Sequence, residues 1–284
     1  MDWKKVPERK WQKLLYFMAF GYFENGVGRT AAAMTYYLLF ALFPFLIFVT
    51  SLLGLLHLPM LTLEGEITKF LPADVVGLLN AILTHITANS NNALLTFGLV
   101  FTVWFPLRAV ANLMKAVNDI YESKATSVHY IRMAVLTVLM IVLIPVLVIL
   151  LLLGERFLQF VSEYIPLAPD FITDFAKMRF VLMATALLFV LSAIYYLSPA
   201  KKQPPRYVLP GALMAVVIWL FFSFIFSVYV NRVGKYSVIY GSIGVIIAFL
   251  VWLNFSMTTM LMGAVFNVAI KKTFQKETKK NLHL

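Results

Sequence analysis

Long uncharged apolar stretches alternate along the chain with short segments rich in lysine and arginine. A helix that crosses the hydrocarbon core of a bilayer needs about 20 mostly apolar residues. Six segments meet this requirement: Thr30–Leu56, Asn89–Leu107, Met133–Leu153, Phe180–Ala200, Tyr207–Val230 and Tyr236–Ile270. The pattern predicts an all-α, polytopic transmembrane bundle of about six spans. The last segment is uncharged for 35 residues, about 50 Å of helix against a core of about 30 Å, so it must tilt, protrude or bend. Gly241 and Gly244 are the candidate bends.

The distribution of cations predicts the orientation of these spans, because Lys and Arg concentrate in cytoplasmic loops. Sixteen lie in segments 1–29, 118–132, 198–207 and 271–284, and six lie in segments 57–93, 154–179 and 231–237. Both termini are therefore predicted to be cytoplasmic. We divide the chain into a basic amphipathic segment at 1–29, a six-span membrane domain at 30–270 and a basic cytoplasmic tail at 271–284.

Amphipathic surface helices are predicted beside the spans. Within residues 3–22, one helical face carries Trp11, Leu15, Met18 and Tyr22, and lysines lie elsewhere. Such a helix is typical of the lipid headgroup plane, although an ordinary basic flank would look similar. Two further segments, near 75–86 and 157–175, are expected on the opposite surface, where packing alone would also explain them.

The composition supports a membrane protein and excludes several chemistries. Hydrophobic residues make up 61% and charged residues 13%, against about 45–50% and about 25% in a typical soluble domain. The net charge of +11 fits basic cytoplasmic flanks, so no nucleic-acid partner is expected. There are no cysteines, and the four histidines are scattered. Without a metal-ligand spacing or nucleotide motif, we expect no catalytic residues, no metal, no cofactor and no enzymatic activity.

The most informative polar pattern follows Pro106, a candidate kink. Arg108, Asn112, Lys115 and Asp119 are spaced i, i+4, i+7 and i+11, which places them on one stripe of a helix. Charged side chains within a membrane are costly and usually face a cavity or a partner, and arginine suits phosphate recognition. The stripe is either a polar groove open to the cytoplasm that binds substrate or a structural helix end.

A second polar position lies in the last span. Asn254 is expected near the middle of the membrane, with Asn267 further along. Polar side chains at that depth usually form hydrogen bonds with another helix. Lining a polar pathway, and so contributing to substrate binding, is the alternative for Asn254.

Three stretches carry a family resemblance: RTAAAMTYYLLFALFPFL at Arg29–Leu46, PGALMAVVIWL at Pro210–Leu220 and YGSIGVIIAFLVWLNFSMTTMLMGA at Tyr240–Ala264. In order and spacing they resemble the YihY/BrkB family over nearly the whole chain. The resemblance implies a multi-pass protein of the bacterial inner membrane. Many relatives have a Glu where this chain has Val265 and an aromatic residue where it has Asn254, so a mechanism that depends on the acidic residue would not transfer.

The function expected from these observations is a carrier or flippase for an anionic lipid or similar amphiphile, without ATP. The resemblance contributes here, because some relatives are discussed as lipid carriers. Its older ribonuclease label is widely regarded as a misassignment. The alternative is a non-transporting scaffold for an envelope complex. Expected partners are anionic membrane lipids, with a second copy of the chain or an envelope protein as further candidates.

Overall fold

The computed structural model describes residues 7, 9–55, 92–123, 129–140, 169–201, 203–233 and 237–280. Nearly all of these residues are helical, and no strand occurs among them. The helices are α1 (Lys10–Glu24), α2 (Val27–Leu55), α3 (Asn92–Ile120), α4 (His129–Met140), α5 (Pro169–Leu197), α6 (Leu209–Val233) and α7 (Ser237–Lys280). A short 3₁₀ helix, Pro205–Tyr207, precedes α6.

The prediction of an all-α protein with membrane-spanning helices is confirmed. By length and composition, four apolar stretches among the described helices can cross a membrane: Val27–Phe48, Asn92–Ile120, Pro205–Tyr229 and Ile246–Phe274. Two shorter apolar stretches, His129–Met140 and Ala184–Leu197, coincide with parts of the other two predicted spans. The count of six and the side of the termini stay predictions.

The helices extend beyond the predicted spans in two places. α3 continues past Arg108 to Ile120, with Pro106 inside it. α7 is one helix of 44 residues, about 66 Å long, so it accommodates its length by protruding into the predicted tail. The amphipathic segment predicted near 75–86 lies outside the described residues. The same holds for the part of the segment near 157–175 that precedes Pro169, and the remainder belongs to α5.

The chain forms two compact units. The first contains residues 1–27, 113–220 and 259–284, and the second contains residues 28–112 and 221–258. Three helices therefore divide between the units within their length, namely α3, α6 and α7, and α2 contributes only its first residue, Val27, to the first unit.

In the first unit, the start of α6 packs closely on the later half of α7, where Gly211 lies against Gly263. A Cβ on Gly263 would lie 2.7 Å from the carbonyl oxygen of Gly211 and 3.0 Å from the Cβ of Ala215. Both distances are shorter than ordinary van der Waals contact, so only glycine allows this approach. The hydroxyl of Tyr195, which is fully buried in α5, donates to the carbonyl of Met260 in the same region.

Asn267 completes this packing by capping α6. The cap position of α6 is a valine and its second residue is proline, so the helix supplies no capping side chain of its own. The Oδ1 of Asn267 accepts from the backbone N–H of Gly211 at 2.7 Å, and its Nδ2 donates to the carbonyl of Val208 at 2.9 Å. Nδ2 also donates to the hydroxyl of Tyr121 at 3.0 Å. The expectation that polar residues in the last span bind other helices is confirmed for Asn267.

In the second unit, aromatic and small residues make the contacts between helices. α2 and α3 cross at Gly98, where a Cβ would lie 2.6 Å from the backbone nitrogen of Phe48. α6 and α7 are joined by Phe222 and Phe255, whose ring centroids lie 3.5 Å apart. The indole N–H of Trp252 donates to the hydroxyl of Ser223 at 3.2 Å.

Candidate functional site

Arg108, the first residue of the predicted stripe, lies on an exposed face of α3 in the second unit. Its guanidinium carbon lies 4.7 Å from the ring centroid of Trp104, one turn earlier in the helix. Trp104 is itself 47% exposed. Asn112, one turn later, is half-buried. The guanidinium of Arg108 is therefore in contact with an aromatic ring on one side and is not buried.

This arrangement favours recognition of an anion by Arg108. Stacking on a ring uses the flat face of a guanidinium, whereas its N–H donors point outward in its plane and bind carboxylate or phosphate in pairs. Within the described residues, the contact found for this side chain is the Trp104 ring. Its donors are thus available to a ligand at the exposed surface of α3.

The other predicted residues are not assembled around Arg108. Lys115 and Asp119 are exposed and belong to the part of α3 in the first unit. Asn254 lies in the second unit, on α7, and is half-buried. None of the hydrogen bonds or ion pairs found in the described parts of the chain joins two of the five predicted residues. The structure therefore places Arg108 against Trp104, on a face of α3 that carries further aromatic neighbours that the polar pattern did not include.

These neighbours form a continuous row of rings, which we call the aromatic row: Phe97, Phe101 and Phe105 of α3, followed by Phe40 and Tyr36 of α2. Successive centroids are separated by 4.6, 5.8, 6.1 and 4.4 Å. The three α3 rings are spaced by four residues, and the same face continues to Arg108 and Asn112. That spacing is visible in the sequence and could have linked the rings to the polar stripe.

A second polar cluster lies in the first unit and joins segments predicted to be on the same side of the membrane. Asn118, which is buried, accepts from the backbone N–H of Ala200 at 2.9 Å through Oδ1. The guanidinium of Arg132 donates to the carbonyl of Pro199 at 2.8 Å. Residues of segments 118–132 and 198–207 thus meet, and the side of the membrane on which they lie stays a prediction. The sequence pattern selected Asp119 on the stripe and missed its buried neighbour.

The last helix joins the same cluster through two lysines. The ammonium of Lys271 donates to Gln203 at 2.9 Å, and Lys272 forms an ion pair with Glu122 at 2.6 Å. Tyr121, which accepts from Asn267, is largely buried, and this burial raises the pKa of its phenol to about 12. The phenol is therefore neutral at physiological pH, so the hydrogen bond between Tyr121 and Asn267 joins two neutral side chains. The cations Lys271 and Lys272 bind at the edge of this cluster.

α3 ends in this cluster with a strained residue. The N–H of Glu122 binds the carbonyl of Asp119 at 2.9 Å, and the N–H of Ser123 binds that of Asn118 at 3.3 Å. These two bonds form a Schellman motif, which normally has glycine at the left-handed position. Here Glu122 occupies that position with φ of 52°.

A small cavity of about 20 Å³ lies beside the cluster, enough for about one water molecule. It is bordered by the end of α1 and the later part of α7, including Phe20, Gly21 and Val265, with Glu122 and Lys272 also contributing. None of the five predicted site residues lines it. Val265 is buried there and faces Gly21: a Cβ on Gly21 would lie 2.7 Å from its Cγ1.

Long apolar helices, close glycine contacts and polar groups collected at helix ends define a multi-helix membrane protein. A family model described as Virulence factor BrkB matches residues 20–283. The chain therefore belongs to this family, which confirms the resemblance drawn from the three sequence stretches.

Relatives from several bacteria match most of the chain. The ribonuclease-like protein YfkH of Bacillus subtilis is 32% identical over 246 residues, covering 85% of this chain and 89% of that one. A UPF0761 membrane protein of Coxiella burnetii is 27% identical over 257 residues, covering 87% and 89%. Another, from Idiomarina loihiensis, is 25% identical over 213 residues, covering 74% and 72%. No solved structure matches the chain.

Proposed function

We propose that this protein is a carrier of the bacterial inner membrane that moves an anionic lipid or similar amphiphile without ATP. The observation that carries the proposal is the exposed guanidinium of Arg108 stacked on Trp104 in a membrane-spanning helix. An arginine costs up to about 2.5–3.5 kcal/mol at the centre of a span on insertion scales, and Arg108 lies nearer the predicted end of its span, where the cost is smaller. An anionic headgroup would offset that cost, and an apolar chain would suit the rings beside it.

A non-transporting scaffold is the second candidate, and the first unit favours it. There, the Gly211–Gly263 approach and the three hydrogen bonds of Asn267 form a closely packed region with a cavity of only about 20 Å³. Such packing serves a rigid support as well as a carrier. The two candidates differ in whether Arg108 acts on a moving ligand.

The test measures lipid movement in vesicles that contain the purified protein. A fluorescent phosphatidylglycerol is placed in both leaflets, and dithionite added outside bleaches the outer leaflet. A carrier exposes the inner pool, so bleaching proceeds beyond the outer half. Arg108→Leu is expected to slow this phase about tenfold or more, because charge-assisted hydrogen bonds contribute about 1.5–3 kcal/mol. Arg108→Lys should be intermediate, because it keeps the charge but loses the paired donors.

Arg206→Leu is the matched control. The guanidinium of Arg206 is also exposed and lies 5.0 Å from the ring centroid of Tyr207, but it belongs to the basic segment 198–207 in the first unit. Its loss should leave lipid movement unchanged. Movement by the Arg108→Leu protein at the wild-type rate would refute the role of Arg108. Absence of movement in the wild-type protein, with intact folding, would favour the scaffold.

A further inference from the structure

The aromatic row extends from Arg108 for a defined length. Arg108 lies eleven positions after Phe97 in the sequence, which corresponds to about 16 Å along the helix. The hydrocarbon core is about 30 Å thick, so the row covers about one leaflet. Because Arg108 lies toward the end of α3 that the cation pattern assigns to the cytoplasm, that leaflet is the cytoplasmic one.

The row is open at the surface of the second unit. Tyr36 is 52% exposed, Phe40 41% and Phe97 48%, and Phe101 and Phe105 are half-buried between them. Rigid rings offer a large contact area at a low cost in conformational entropy. A row of them therefore presents a fixed apolar surface along which a flexible chain can lie.

From these two features we infer that the exposed face of α3 holds a single phosphate-bearing lipid of the cytoplasmic leaflet, with its phosphate on Arg108 and one acyl chain along the aromatic row. The inference rests on the proposed function and deepens it. The charge selects an anionic headgroup, the planar donors of the guanidinium match phosphate oxygens, and the row continues directly from the turn that carries Trp104.

Trp104 provides a built-in reporter for the test. Bromine atoms on an acyl chain quench a tryptophan that they approach, and the difference between the wild-type protein and Trp104→Phe isolates the signal of this side chain. The probes are brominated phosphatidic acid and brominated phosphatidylcholine, each mixed into otherwise identical phosphatidylcholine vesicles. We expect stronger quenching by the phosphatidic acid, and we expect this preference to disappear in Arg108→Leu.

The aromatic row is tested with a double substitution, Phe101→Leu with Phe105→Leu, which keeps apolar side chains but removes the rings. The apparent affinity for brominated phosphatidic acid should fall about threefold or more, because aromatic contacts contribute beyond their area. The matched control is Phe221→Leu with Phe224→Leu, on α6 in the same unit. These two rings are 66% and 68% exposed and lie outside the row, so the affinity should not change.

The outcomes separate this inference from the proposed function. If the Phe101/Phe105 variant binds as the wild type does, or if the control pair loses as much affinity, the inferred path of the chain is wrong, whatever lipid movement shows. Equal quenching by both probes in the wild-type protein would overturn the phosphate site. If the preference is present but no lipid movement occurs, the site is real and the carrier function is wrong.

Discussion

The closest helix contact in the first unit predicts that Gly263→Ala destabilises the protein strongly. The added methyl group would first meet the hydroxyl of Tyr195, and it would lie 2.7 Å from the carbonyl oxygen of Gly211 and 3.0 Å from the Cβ of Ala215. The Tyr195 side chain is fully buried and its hydroxyl donates to the carbonyl of Met260, so none of the three atoms can move away easily. To restore ordinary contact, α6 and α7 must separate by about half an ångström or more. Overpacking of this kind typically costs about 1–3 kcal/mol.

The separation also affects Asn267, one turn further along α7. Two of its hydrogen bonds reach the start of α6, at 2.7 and 2.9 Å, so a separation of about half an ångström stretches them to or beyond the usual limit of about 3.2 Å. Each lost bond costs about 0.5–1.5 kcal/mol. Alanine regains about 1 kcal/mol of helix propensity over glycine. We therefore expect a net loss of about 2–4 kcal/mol.

The assay is reversible unfolding in mixed detergent micelles with increasing sodium dodecyl sulfate, followed by helical circular dichroism. Gly21→Ala is the matched control, because its methyl group would meet only the Cγ1 of Val265 at comparably short range, and that side chain can move. The control should change the free energy of unfolding by less than about 1 kcal/mol, since a small clash is offset by helix propensity. If Gly263→Ala were as stable as the wild type or as Gly21→Ala, the inferred close packing of α6 on α7 would be refuted.

Three further predictions concern the end of α3, the orientation and the chemistry. Glu122→Gly should be neutral or stabilising in thermal denaturation, because relief of a left-handed φ contributes about 1–2 kcal/mol, whereas the exposed ion pair that is lost contributes about 0–1 kcal/mol. Glu122→Ala keeps the strained φ and should be less stable than Glu122→Gly. Equal losses of stability in both variants would contradict this. Single cysteines placed at residues 2 and 283 of this cysteine-free chain should resist impermeant thiol reagents on intact cells, and labelling of either one would overturn the cytoplasmic assignment. The purified protein is predicted not to cleave RNA, because its four histidines are scattered and its sequence shows no metal-ligand spacing; cleavage abolished by a point substitution in this chain would refute that.

The sequence predicted the helical spans well because a bilayer imposes a simple length requirement. α2 lies within three residues of its predicted start, and α6 within three residues of both ends. The C-terminal end of α7, at Lys280 instead of Ile270, could not be predicted in this way, although its start was predicted to within one residue. Hydropathy stops at Lys271, whereas the backbone continues as helix because lysine and glutamine are good helix formers.

The environment of each polar residue was harder to predict, because both the buried and the lipid-facing sides of a membrane helix are apolar. Periodicity therefore could not show whether Arg108 faces a groove or the exterior. Asn254 and Asn267 likewise look equivalent in sequence. Asn267 binds the start of α6, next to Pro210, where the helix has no capping side chain of its own. This property of α6 becomes relevant only when that start lies against α7.

The three stretches that carry the family resemblance differ in what they contribute to the structure. Gly211 in the second stretch and Gly263 in the third form the closest contact between helices, so similarity there reports packing of the first unit. The first stretch contains buried Met34 and also Tyr36 and Phe40 of the aromatic row. Arg108 lies in none of the three. Membership of the family therefore does not test the proposed headgroup site. Variants at Gly263 report on packing, whereas variants at the exposed Arg108 should leave the stability unchanged and alter lipid selectivity.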